Sequence, residues 1–146
     1  MSAANEEKVL RVLKLFHSTS EASLNEALEF FADGAIYHTL VPTTKPLEGR
    51  AAIKAELMRQ FGHYKECDCE ILAMASSDRY VFTERRDHVT MLDHDKRIYS
   101  SVAAVFEFNA DNKITSWREY WDSGDIARQL GLTSEQMNKL QEGTGA

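Results

Sequence analysis

Two cysteines and two prolines are all that this 146-residue chain carries of either. So few cysteines exclude a disulfide-stapled scaffold, and so few prolines leave long stretches free to form regular structure. No apolar run comes near the roughly 20 residues that span a bilayer. The opening MSAANEEKVL lacks the basic start and apolar core of a secretory leader, so a cytoplasmic location is the expectation. Positive charge is scarce too: 17 Lys and Arg stand against 23 Asp and Glu, a formal net charge of −6, with no basic stripe to follow a phosphate backbone. Neither nucleic acid nor a membrane is an expected partner. No G-x-S-x-G elbow, P-loop or dinucleotide fingerprint occurs, which leaves serine hydrolase, NTPase and dinucleotide-dependent chemistry without support.

Cys67 and Cys69, in ECDCE, would share one face of a strand without good disulfide geometry. With His63 they offer three zinc ligands and no fourth, so small buried thiols are expected and a metal is not.

What the chain has is the composition of an ordinary globular protein, 43% hydrophobic and 27% charged, long enough to bury a core as one domain over residues 1–146. Apolar residues at Val9, Leu10, Val12, Leu13 and Phe16 mark an amphipathic helix in NEEKVLRVLKLF, and a second follows in LNEALEFF. ADG should stop it before a short extended run, AIYHTL. A loop with both prolines leads to a third helix, AAIKAELMRQF, closed by Gly62.

From about residue 66 the period shortens from 3.6 to 2, predicting strands near 67–75, 79–92, 97–108 and 113–121 joined by SSD, DHDK and NADNK. Four successive strands imply an antiparallel meander. The chain closes with two short helices, for which Ser123 and Thr133 are candidate caps, and a frayed tail, EGTGA. The expectation is an α+β fold, a curved and mostly antiparallel sheet with the N-terminal helices packed on its concave face.

Residues 117–121 read WREYW, and strand alternation sends Trp117, Glu119 and Trp121 to one face. A carboxylate between two indoles needs a partner, or its pKa rises until it takes up a proton. In YVFTERRDHVTML one face carries Val81, Thr83, Arg85, Asp87, Val89 and Met91, and the other Phe82, Glu84, Arg86, His88 and Thr90. The first is the core face, and Arg85 with Asp87 interrupts it. Two carboxyls around one arginine should hold a proton between them, an acid and a base together. The same spacing also fits a surface ion pair on a wetted face, or a strand whose faces a bulge exchanges.

At YHT (37–39), EGRAAI (48–53), TERRD (83–87) and ITSWREYWD (114–122) the sequence resembles the limonene-1,2-epoxide hydrolase family, within the SnoaL-like, nuclear-transport-factor-2-like fold group, over about residues 8–128. The resemblance implies a cone-shaped α+β fold and a cofactor-independent hydrolase. In that role Arg85 bridges the acid Asp87 and the base Glu119, while Tyr37 and Thr39 hold the attacking water. The characterised family has Asp where Glu119 stands and Asn where Thr39 stands. A small, mostly apolar substrate would meet Val81, Val89, Met91, Trp117 and Trp121, with Leu40, Leu57 and Phe61 nearby.

Two other classes stay open: an isomerase or cyclase of the ketosteroid-isomerase or SnoaL type, and a non-catalytic ligand-binding dimer. His38 is a candidate for the pocket rim, and His17, His63, His88 and His94 are expected in solvent or on the outer face. An outer sheet face bearing Tyr80, Phe82 and Phe106 would be too apolar to stand bare, implying a homodimer through it.

Overall fold

A computed structural model describes residues 2–42 and 45–142. Three helices, α1 (Ser2–Leu15), α2 (Glu21–Leu28) and α3 (Arg50–Phe61), precede or interrupt the first strands, β1 (Phe31–His38) and β2 (Leu47–Glu48). The meander follows as β3 (Tyr64–Ser76), β4 (Tyr80–Met91), β5 (Lys96–Phe108) and β6 (Ile114–Tyr120), and α4 (Ser123–Leu130) and α5 (Ser134–Glu142) close the chain. The six strands form one open, curved sheet in the order β2-β1-β6-β5-β4-β3, with β1 parallel to β6 and every other pair antiparallel. Among the described residues no helix is long and apolar enough to cross a membrane.

Each helix docks through a stripe at helical spacing. Val9, Val12 and Leu13 are buried on α1, Leu24, Ala27 and Leu28 on α2, and Ile53, Leu57 and Phe61 on α3. Ser20 caps α2 by accepting from Ser23 N at 3.2 Å. Gly49 precedes α3 at φ +94°, a conformation that disfavours side chains, while its N–H donates to Ala35 O at 2.8 Å and joins the helix start to β1.

Several expectations need correction. ADG is not a helix stop: α2 ends at Leu28, and Ala32, Asp33 and Gly34 belong to β1. Phe31 enters the core opposite Ile114, and the register against β6 shifts before Ile36, which lets Asp33 and Gly34 stand exposed inside a paired strand. The two-residue β2 was not expected, being too short for a periodic signal. Asp122, not Ser123, caps α4, its Oδ1 accepting from Gly124 N at 2.8 Å. Thr133 does cap α5, in reciprocal bonds with Gln136 of 3.1 and 2.8 Å. Of EGTGA, residues 143–146 lie outside the described residues, as do 43 and 44 of the proline loop.

Phe106 belongs to the inner face and not the outer one. It pairs across strands with Val81 and Trp117, is fully buried, and stacks on Trp117 with ring centroids 5.8 Å apart. Odd-numbered β4 positions face inward and pair with even-numbered β5 positions, so the register carries Phe106 to the inner face. Phe106→Ala is expected to lower the unfolding free energy by about 3–5 kcal/mol in urea titration. Leu10→Ala, at a residue 43% exposed, should change it by less than about 0.5 kcal/mol. Equal losses would contradict this placement of the core.

Candidate active site

Arg85, 1% exposed, is the largest fully buried side chain. It lies on the inner face of β4 and reaches across β5 toward Glu119 on β6. The crossing is possible because β5 offers a small side chain there: Ala104 is the partner of both Thr83 and Glu119. Each of its three nitrogens then has an acceptor. Nε and Nη2 donate to the two oxygens of Asp87 at 2.9 and 2.8 Å, Nη2 donates also to Glu119 Oε2 at 2.7 Å, and Nη1 donates to Thr83 Oγ1 at 3.1 Å. One nitrogen thus holds an oxygen of each carboxyl.

The two indoles flanking Glu119 have separate tasks. Trp117 Nε1 donates to Glu119 Oε2 at 3.0 Å, so the buried carboxylate has a second donor from its own strand. Trp121, just beyond β6, donates from Nε1 to Thr39 O at 2.8 Å, and Val41 N donates to Glu119 O at 2.9 Å, which fixes the segment after β1 against the site. Tyr37 lies flat on Trp117, centroids 4.0 Å apart and planes 7° off parallel.

Burial sets the electrostatics. It pushes the Glu119 carboxyl above its usual range, Arg85 pulls it back and Asp87 pushes it up again, leaving a net rise. Burial would lower Arg85, but the charges of Glu119 and Asp87 outweigh it, so the guanidinium remains charged. Tyr37 is driven well above an ordinary phenol by burial and then by Glu119, so it keeps its proton.

Above the triad lies a cavity of about 200 Å³. Tyr37, Thr39, Asp87 and Glu119 form its polar floor, and Val89 and Met91 of β4 with Ile98, Ser100 and Val102 of β5 continue the sheet wall. Ile126 and Leu130 of α4 and Met137 and Leu140 of α5 close it with aliphatic surface. The wall toward α3 is polar: Glu56, Arg59, Gln60, His63 and Tyr64.

Of the residues singled out from sequence, the structure brings Tyr37, Thr39, Asp87, Glu119, Val89, Met91 and Trp121 to this cavity, with Arg85 directly beneath its floor. Val81, Trp117, Leu57 and Phe61 are inward-facing as expected but pack in the core under the floor, and Leu40 lies in a bend off the cavity. His63, expected in solvent, lines the cavity, whereas His38 does not. Cys67 also lines it, its thiol 3.9 Å from that of Cys69. The α4 and α5 residues were missed because their helical stripes specify burial without saying against what.

A raised carboxyl makes a signed prediction. Glu119 in the folded state binds its proton more tightly than in the unfolded chain, so its contribution to stability is complete below about pH 4.5 and is lost as pH rises through the elevated folded value. Urea titrations from pH 4 to 8 should therefore show wild type losing stability relative to Glu119→Gln as pH rises, at up to about 1.4 kcal/mol per pH unit between the two values. A difference that is flat, or that grows in favour of wild type, would contradict the assignment.

Comparison with known proteins agrees with this architecture. A SnoaL-like domain model matches residues 12–117, a span that holds Tyr37, Thr39, Arg85 and Asp87. Three solved structures are similar over most of their length. An epoxide hydrolase of M. tuberculosis described as LEH-like is 22% identical at TM-score 0.72, covering 88% of this chain and 90% of that one. The epoxide hydrolase/cyclase-like enzyme SalBIII, of pyran ring formation in the polyether salinomycin, is 20% identical at TM-score 0.72, covering 84% and 94%. A protein from Shewanella denitrificans assigned as a SnoaL-like polyketide cyclase is 15% identical at TM-score 0.75, covering 88% and 97%. At these identities the likeness establishes the fold. With the family model spanning most of the chain, the protein belongs to the SnoaL-like domain family.

Proposed function

We propose that the protein is a cofactor-independent hydrolase that opens a small, mostly apolar epoxide to a vicinal diol in one step. The observation that carries the reading is Arg85, buried and bonded at once to two carboxyls on the floor of one cavity. A water held by Tyr37 and Thr39 gives a proton to Glu119 as its oxygen bonds to an epoxide carbon. The carbon–oxygen bond of the epoxide breaks, and that oxygen takes a proton from Asp87, so no alkoxide is left unpaired. Arg85 touches both carboxyls throughout and stays charged, and proton return from Glu119 to Asp87 resets the site.

Burial raises the Glu119 carboxyl, which makes its ionised form a stronger base, and the reaction starts from the form of the pair in which Glu119 is ionised and the shared proton stands on Asp87. The cavity, about 200 Å³, lies below the usual range of about 300–1,000 Å³ for ligand pockets, which supports a small substrate. Glutamate is one methylene longer than aspartate, so the water would stand about 1 Å from where a shorter base would hold it, a shift large enough to change substrate choice.

The same raised carboxyl favours a second reading, an isomerase or cyclase in which Glu119 shuttles a proton beside a carbonyl and Tyr37 donates to its oxygen. The buried guanidinium fits that reading less well, because one carboxylate would suffice. Outside the cavity, exposed Phe82, Tyr99 and Tyr120 on the outer sheet face support a homodimer through that face.

Purified protein should convert members of a panel of cyclic and aryl epoxides to diols. Glu119→Gln, with its fold intact, should lose about 10²–10⁴-fold of that rate. A folded wild type that makes no diol from any epoxide yet isomerises a ketone would overturn the first reading in favour of the second. For the outer face, sedimentation should give a dimer that Phe82→Arg shifts toward monomer, and a monomeric wild type would contradict the interface.

A further inference from the structure

Tyr37 can hold a water as a hydrogen-bond donor or as an acceptor, and only one of these leaves the water suited to attack. The neighbours of Tyr37 on α3 decide between them. Arg59 grips Glu56 with both arms, Nε to Oε1 at 2.9 Å and Nη2 to Oε2 at 2.8 Å. The same Oε2 lies 2.8 Å from the side-chain amide of Gln60. A carboxylate gripped by a guanidinium has no proton to give, so the Gln60 atom facing it must be the NH2 group, which fixes which way round the amide stands. The amide oxygen then faces Tyr64, whose hydroxyl donates to it at 3.1 Å. The remaining N–H of Gln60 points at Tyr37 Oη, 3.4 Å away.

A phenol oxygen that accepts from Gln60 has its own hydrogen free for another partner. The Tyr37 ring is clamped flat against Trp117, so rotation about the C–O bond is the hydroxyl's freedom, and the cavity it reaches also contains Thr39 and Glu119. From these contacts, and resting on the epoxide-hydrolase reading above, we infer that Gln60 is a positioning residue that holds Tyr37 as the donor to the attacking water. The proton count then closes. A water that donates to Glu119 and to Thr39 Oγ1, and accepts from Tyr37, keeps one lone pair for the epoxide carbon. If Tyr37 instead accepted, it would compete with Thr39 for the water's second hydrogen, and the water would lose its orientation.

The test is a double-mutant cycle of Gln60→Met and Tyr37→Phe, read both as diol formation and as urea unfolding. Gln60→Met alone should lower kcat about three- to tenfold, the worth of one hydrogen bond, with KM changed less than about twofold. In the Tyr37→Phe background the same substitution should change kcat by less than about twofold, because the hydroxyl it orients is gone. Equal losses in both backgrounds, or a change in KM alone, would overturn the inference. The unfolding cycle separates this outcome from failure of the hydrolase reading. A Gln60→Met shift in urea midpoint that shrinks in Tyr37→Phe supports the bond whether or not any epoxide turns over, and shifts that simply add refute it. Absence of diol from wild type removes the reaction that the positioning would serve.

Discussion

The structure is organised around one guanidinium held out of water. Removing a charge from solvent costs several kcal/mol, and that cost is offset only when opposite charge is close and each nitrogen finds an acceptor. Arg85 meets the condition by donating four hydrogen bonds to three side chains, two of them carboxyls on different strands. Meeting it constrains the rest. Thr83 and Asp87 must share the inner face with Arg85, and β5 must present the small Ala104 between Thr83 and Glu119. Glu119 must also have Trp117 beside it as a second donor. Apolar residues of the same volume would fill such a site at equal or lower energetic cost, so a buried ion cluster facing a cavity suggests a chemical task.

The aromatic residues keep the cluster dry and fixed. Trp117 is stacked with Phe16, Phe106 and Tyr37, so the indole that donates to Glu119 cannot swing away, and the phenol above it cannot tilt. In that setting burial raises the carboxyl of Glu119 and the phenol of Tyr37 together, giving a base of increased strength beside a hydroxyl that retains its proton. The opposite wall orients its groups by a different means, a salt bridge on α3 that fixes an amide, which in turn fixes a phenol. Arg59 also donates to Leu140 O at 2.8 Å and so ties α5 to that wall.

Much of this was legible in the chain. The meander appeared as a change of period, and the triad as three ionisable residues sent by alternation to an apolar face, because strand geometry maps position directly onto direction. Thr133 was legible as a cap from its residue type at a helix start, and the Asp122 cap was missed because its neighbour Ser123 carries the same signal. The start of β1 was misread because ADG has the composition of a helix stop, while the strand around it is decided by pairing with β6, about 80 residues later. Which apolar residues line the cavity and which lie beneath it was equally out of reach. Val81 and Val89 share a face and a residue type, and only the placement of the helices separates them.

In the proposed reaction the carboxyl pair acts on water as an acid and a base, with no bond between enzyme and substrate. A single turnover in H₂¹⁸O, with protein in excess of a turned-over epoxide and mass analysis of both products, tests that most directly. One solvent oxygen is expected in every diol molecule and none in the protein. Unlabelled diol in the first turnover, with the label later found in Asp87 or Glu119, would show a covalent ester and contradict it.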